Sequence, residues 1–83
     1  MERLYLVSYD LNKPEKDYPR LIKYLESIGC HRVLFSEWFV RINATRDDLY
    51  NAVKAHLDSN DGLMVCSIQD AIGTNMKYDL TAV

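Results

Sequence analysis

An α+β fold in the order βαββαβ is what this sequence predicts, and three observations predict it. Segments rich in β-branched and aromatic residues alternate with segments whose apolar residues recur at helical spacing. Asn, Pro, Gly, Ser and Asp fall at the joints between them. The strand segments are also apolar at both odd and even positions, so the sheet they form carries two apolar faces.

Each element follows in turn. Leu4 to Tyr9 reads as the first strand, and Asp10-Leu11-Asn12-Lys13-Pro14 breaks it with turn residues. Tyr18, Leu21, Ile22, Leu25 and Ile28 then recur at the period of a helix. Asp17 suits its N-cap, Pro19 is tolerated in the first turn, and Gly29 supplies the stop. Arg32 to Phe35 and Trp38 to Ile42 form the next two strands, with a tight turn or a bulge at Ser36-Glu37. Asn43-Ala44-Thr45 opens a second helix, where Thr45 and Asp48 have the spacing of a weak capping box. Its apolar stripe is Leu49, Val53 and Leu57, with Ala52 and His56 beside them. The turn Ser59-Asn60-Asp61-Gly62 leads into a fourth strand, Leu63 to Ile68. The tail from Ile72 to Val83 has room for a short edge strand over Met76 to Val83. This is the split-βαβ, ferredoxin-like arrangement: one antiparallel sheet with both helices on one face.

The chain of 83 residues is enough for one domain, and 48% hydrophobic with 27% charged residues is ordinary globular composition. No stretch approaches the ~20 apolar residues of a membrane span. Met1-Glu2-Arg3 runs straight into a strand pattern without the layout of a signal peptide, so the cytoplasm is the expected setting. Cys30 and Cys66 stand apart and read as buried thiols, not as a disulfide framework or zinc site. A net charge of −2 and a pI near 5.5 exclude a surface coated in phosphate-binding charge. A local patch of Lys13, Lys16, Arg20 and Lys23 is the one basic candidate, set against a solvated helix face interrupted by Glu15 and Asp17.

The double-faced strands carry the strongest expectation. Leu4 and Leu6 oppose Tyr5, Val7 and Tyr9; Phe39 opposes Trp38, Val40 and Ile42; Met64, Cys66 and Ile68 oppose Leu63 and Val65. Two helices cover one face only, and an open apolar face of several strands exceeds what monomers usually leave exposed. A second copy across a two-fold axis covers it, so a homodimer is expected; the alternative cover is the C-terminal tail.

The sequence holds no GxGxxG, P-loop or HExxH pattern and no Cys-His cluster, and His31 and His56 are isolated. Asp10 stands out instead. It lies where an apolar strand leaves the sheet, held by rigid backbone yet open to solvent. An oxygen ligand in that position suits Mg2+, and a two-fold axis could pair two copies of it. Ser8 points the same way by the period of two and could hydrogen-bond a metal-bound water. The simpler reading is that Asp10 caps the turn at Asn12-Lys13.

Tyr5-Leu6-Val7-Ser8-Tyr9-Asp10-Leu11, a Leu-rich helix ending at Gly29, and Arg32-Val33-Leu34-Phe35-Ser36-Glu37-Trp38-Phe39-Val40 together resemble the small CRISPR-associated adaptation nuclease family, here called Cas-two. Ser8-Tyr9-Asp10-Leu11-Asn12-Lys13-Pro14 and Ser36-Glu37-Trp38-Phe39-Val40 look most like its stand-alone branch. The likeness runs from residue 3 to about 69. It implies a ferredoxin-like homodimer whose metal-binding aspartate is Asp10, with Ser36 and Phe39 at the family's serine and aromatic positions. It implies a Mg2+-dependent endonuclease on RNA or DNA, with Ser8 and Tyr9 shaping the site and Lys13, Lys16 or Arg20 touching phosphate. The alternatives are a non-catalytic dimer that bridges or inhibits a protein partner or nucleic acid, and a ribonuclease toxin of the related virulence-associated D kind. Asn12-Lys13-Pro14-Glu15-Lys16 departs from the arginine-richer run typical of the family.

Overall fold

The computed structural model describes residues 1–12 and 18–76. Its elements run β1 (Arg3–Asp10), α1 (Pro19–Ser27), β2 (His31–Leu34), β3 (Glu37–Ile42), α2 (Arg46–Lys54) and β4 (Gly62–Ser67). The strands form one antiparallel sheet in the order β2-β3-β1-β4, the ferredoxin-like arrangement the sequence predicts. The central strand β1 pairs with β3 on one side and β4 on the other, which explains why it is the most continuously apolar segment.

Register decides the faces. Val7 lies opposite Trp38 on one side and Val65 on the other, and Tyr5 lies opposite Val40. These residues, with Tyr9, form one core with Leu21 and Leu25 of α1 and Leu49 and Val53 of α2. Both helices therefore pack on the Tyr5–Val7–Tyr9 face. Each of the fully buried aliphatic side chains there contributes about 1.5–3 kcal/mol of burial free energy. The Tyr5 hydroxyl, carried into this core, is satisfied by donating to the carbonyl of Ala44 at 2.6 Å.

Local chemistry sets the boundaries, and several differ from the sequence expectation. Pro19 takes the first helical position of α1 and Tyr18 is its N-cap residue, in a left-handed conformation at φ 36°. The expected cap, Asp17, lies outside the described residues, as does the strand expected over Met76 to Val83 beyond its first residue. Gly29 adopts φ 88° after α1, where a side chain would be strained, and ends the helix as expected. The β2–β3 turn falls at Phe35-Ser36, one residue early, because the pairing shifts register between Arg32 and Leu34 and absorbs Val33 as a bulge. The hairpin thus uses both a tight turn and a bulge. In α2 the N–H of Asp48 donates to Thr45 Oγ1 at 3.0 Å, as the capping spacing predicts. The helix stops at Lys54, so Leu57 reaches the core from the following turn. His56 is structural: its ring stacks on Tyr24 of α1 at 4.3 Å between centroids.

No described helix lies on the other face. Leu4, Leu6, Phe39, Met64 and Cys66 share it; Phe39 is buried at 7% exposure, whereas Met64 is 53% exposed. Ile72, at the start of the tail, is 98% exposed, and the tail beyond Met76, the alternative cover, lies outside the described residues. Cys30 is buried as expected, whereas Cys66 is only half-buried because it sits on this uncovered face. No helix among the described residues is long and apolar enough to cross a membrane.

Candidate functional site

Asp10 is the last residue of β1 and pairs directly with Gly62, the first of β4. It is thus still inside the sheet, one residue short of the exit the sequence suggested. Its side chain projects on the open face, in line with Ser8, Leu6 and Leu4, and it is exposed at the rim of the apolar patch. Among the described residues, no hydrogen bond or ion pair engages its carboxylate. A Cβ built on Gly62 would lie 3.3 Å from the Asp10 Cβ, so a side chain at position 62 would press on the base of the Asp10 side chain.

Those features fit a hard divalent cation in donor type and access: an exposed oxygen ligand that no other described group engages. One chain supplies one such carboxylate. No group of three or more His, Cys, Asp or Glu among the described residues could hold a metal ion alone. The face Asp10 borders is the one that no described helix covers.

The remaining expected residues divide between the two faces. Ser8 does share the face of Asp10, but its hydroxyl donates to Glu37 Oε2 at 3.1 Å across the β1–β3 pair. Its proton is therefore directed at Glu37, and its lone pairs remain for accepting. Tyr9 points to the helix side, 5% exposed, where its hydroxyl accepts from Trp38 Nε1 at 2.9 Å. It braces the core beneath Asp10 and does not line the open face. Ser36 acts through its backbone, its carbonyl accepting the Tyr9 N–H at 3.1 Å, which ties the hairpin turn to the end of β1. Phe39 is on the open face, opposite Leu6. Arg20 is exposed on α1 and lines a cavity of about 360 Å3 with Tyr18, Pro19, Leu21, His56 and Asp58. Lys13 and Lys16 lie outside the described residues.

Three contributors were not singled out in the sequence. Glu37 is placed beside Ser8 by strand register alone. Arg32, read only as part of a strand, sets its guanidinium over the Trp38 ring at 4.9 Å and the Phe35 ring at 5.3 Å. Asp61, read only as a turn residue, accepts the Asn12 N–H at 2.6 Å and so holds the chain two residues beyond Asp10. The turn signal at Ser59–Gly62 marked where to look, but not what it would touch.

Comparison with known proteins agrees with the fold and extends it. The family model described as CRISPR associated protein Cas2 matches residues 1–75. Among solved structures, the chain is similar to a hypothetical protein, TT1823, from Thermus thermophilus, with a TM-score of 0.68 and 25% sequence identity, covering 89% of this chain and 94% of that one.

Proposed function

The chain belongs to the CRISPR associated protein Cas2 family, and on that premise we propose that it works as a homodimer closed over the open face of its sheet, a Mg2+-dependent endonuclease on RNA or DNA. The observation that supports it most is the coincidence of an uncovered apolar face with an exposed carboxylate, Asp10, at its rim. Covering the patch removes Leu6, Met64 and Cys66 from water, and a two-fold axis that runs toward the Asp10 rim brings that rim of each copy together.

Asp10 of each copy would serve as a ligand to Mg2+, offered from a rigid strand end. Bound there, the cation would supply charge neutralisation for a phosphodiester and activation of a water. Ser8 offers its lone pairs on the same face while Glu37 fixes its rotamer. Lys13, Lys16 and Arg20 hold the nucleic-acid backbone electrostatically, without base selection. The cytoplasm is the compartment in which such substrates are met.

Cleavage of single-stranded RNA or duplex DNA by the purified protein with Mg2+, lost in Asp10→Ala, is the expected result. Equal activity in that variant overturns the assignment. A second reading, a non-catalytic dimer that bridges a protein partner or nucleic acid, draws on the net charge of −2 and on the absence, among the described residues, of any group of three metal-ligating side chains. Capture of a specific partner, with no cleavage under any divalent cation, is the outcome that selects it.

A further inference from the structure

The loop between α2 and β4 grips the end of β1 from two sides. Gly62 pairs with Asp10, and a Cβ there would lie 3.3 Å from the Asp10 Cβ, so glycine lets β4 lie alongside without displacing that side chain. The preceding residue, Asp61, accepts the Asn12 N–H through Oδ1 at 2.6 Å and the Asp58 N–H through Oδ2 at 2.8 Å. The Tyr18 hydroxyl shares its proton between Asp58 Oδ2 at 3.2 Å and Asp61 Oδ1 at 3.3 Å. One carboxylate thus binds the chain just after Asp10 and the residue that opens α1. Tyr18 needs such a hold. Its left-handed φ of 36° is costly for a non-glycine residue, the more so before a proline. Local strain of this kind persists only where surrounding contacts over-determine it.

We propose that Asp61 and Gly62 are positioning residues for Asp10: Asp61 fixes the path of the chain beyond it through the Asn12 N–H, and Gly62 leaves its side chain undisplaced by β4. Asp61 does not act as a ligand, since both of its oxygens are already engaged within the loop network. The inference rests on the reading of Asp10 as a metal-site residue and adds the elements that hold it. A ligand that must be placed to about 0.5 Å gains from a supporting shell of this kind.

The test uses the full chain and two readouts, amide hydrogen exchange without metal and Mn2+-induced broadening of NMR signals near Asp10. In Asp61→Ala the Asn12 amide exchanges about tenfold faster and the Mn2+ midpoint rises about fivefold to tenfold. Asp61→Asn keeps one acceptor oxygen, enough for the Asn12 N–H but not for the Asp58 N–H as well, so its effect falls between the parent and Asp61→Ala in both readouts. Tyr18→Phe, which removes only a hydroxyl, accelerates Asn12 exchange by a smaller factor and serves if Asp61→Ala does not fold. Gly62→Ala raises the Mn2+ midpoint while leaving Asn12 exchange unchanged. Unchanged Asn12 exchange in Asp61→Ala, or identical behaviour of the Ala and Asn variants, overturns the positioning role. An Mn2+ response that survives Asp10→Ala overturns the metal reading instead, and Asn12 exchange still decides the role of Asp61.

Discussion

The two faces of one sheet are built from adjacent residues and have different fates. On the helix side, Tyr5, Val7 and Tyr9 of β1 meet two amphipathic helices and disappear from solvent. On the other side, Leu4 and Leu6 stay half-exposed and Met64 more so, yet the residues are as apolar as a core requires. The polar chemistry is sorted by the same division. Tyr9 and Trp38 satisfy each other inside, whereas Ser8, Glu37 and Asp10 look outward. One face holds the fold together; the other carries apolar residues that no described helix covers. A sheet that alternated apolar and polar residues would have spent its second face on water.

The largest effect expected from this contrast lies on the helix side. Leu25 is fully buried, so Leu25→Ala should cost about 2–5 kcal/mol in urea unfolding, enough to remove much of the stability of so small a chain. A loss below about 1 kcal/mol would mean that the helix layer is not the main core. On the open side, Leu6→Asp should leave the helical circular dichroism intact but weaken dimerisation by about a hundredfold or more, read by sedimentation. An unchanged mass in that variant moves the interface elsewhere.

Thiol chemistry separates the faces more gently. Burial pushes the Cys30 thiol up to about 12, so it should stay inert to a disulfide reagent at pH 8. Cys66 lies half-buried on the open face, and its labelling should slow about tenfold as protein concentration rises through the dimer range. Concentration-independent labelling of Cys66 would break the link between that face and association. The smallest effect concerns Tyr18, whose phenol is raised from 10.0 to about 12 by desolvation and by the adjacent Asp58 and Asp61 carboxylates. The folded state holds this proton more tightly than the unfolded chain. Its contribution is therefore complete below pH 10 and is lost as pH climbs toward about 12. The urea midpoint of the parent should fall over that range more steeply than that of Tyr18→Phe.

What the sequence disclosed followed from periodicity, because periodicity is local. The spacing of Leu21, Ile22 and Leu25, the Gly29 stop and the Thr45 cap placed both helices, and the doubled apolar faces of β1, β3 and β4 are visible in the letters themselves. The β2–β3 boundary was one residue off because a bulge at Val33 is a property of pairing, which no single strand records. The site was legible only in part. Asp10 could be found because a carboxylate ending an apolar strand is conspicuous. Its surroundings were not, since Ser8 meets Glu37 through cross-strand register and Asn12 meets Asp61 across a long stretch of intervening chain. Tyr9, expected to shape the site with Ser8, points away from it, since neighbours in a strand point to opposite faces.

The most direct test is the mass of the purified full-length chain by sedimentation equilibrium at micromolar concentration. The account predicts twice the 9.7 kDa chain mass, with Leu6→Asp reduced to that of one chain. A parent protein that sediments as a single 9.7 kDa chain across that range would contradict it, since the open face and its Asp10 rim would then have no second copy to meet.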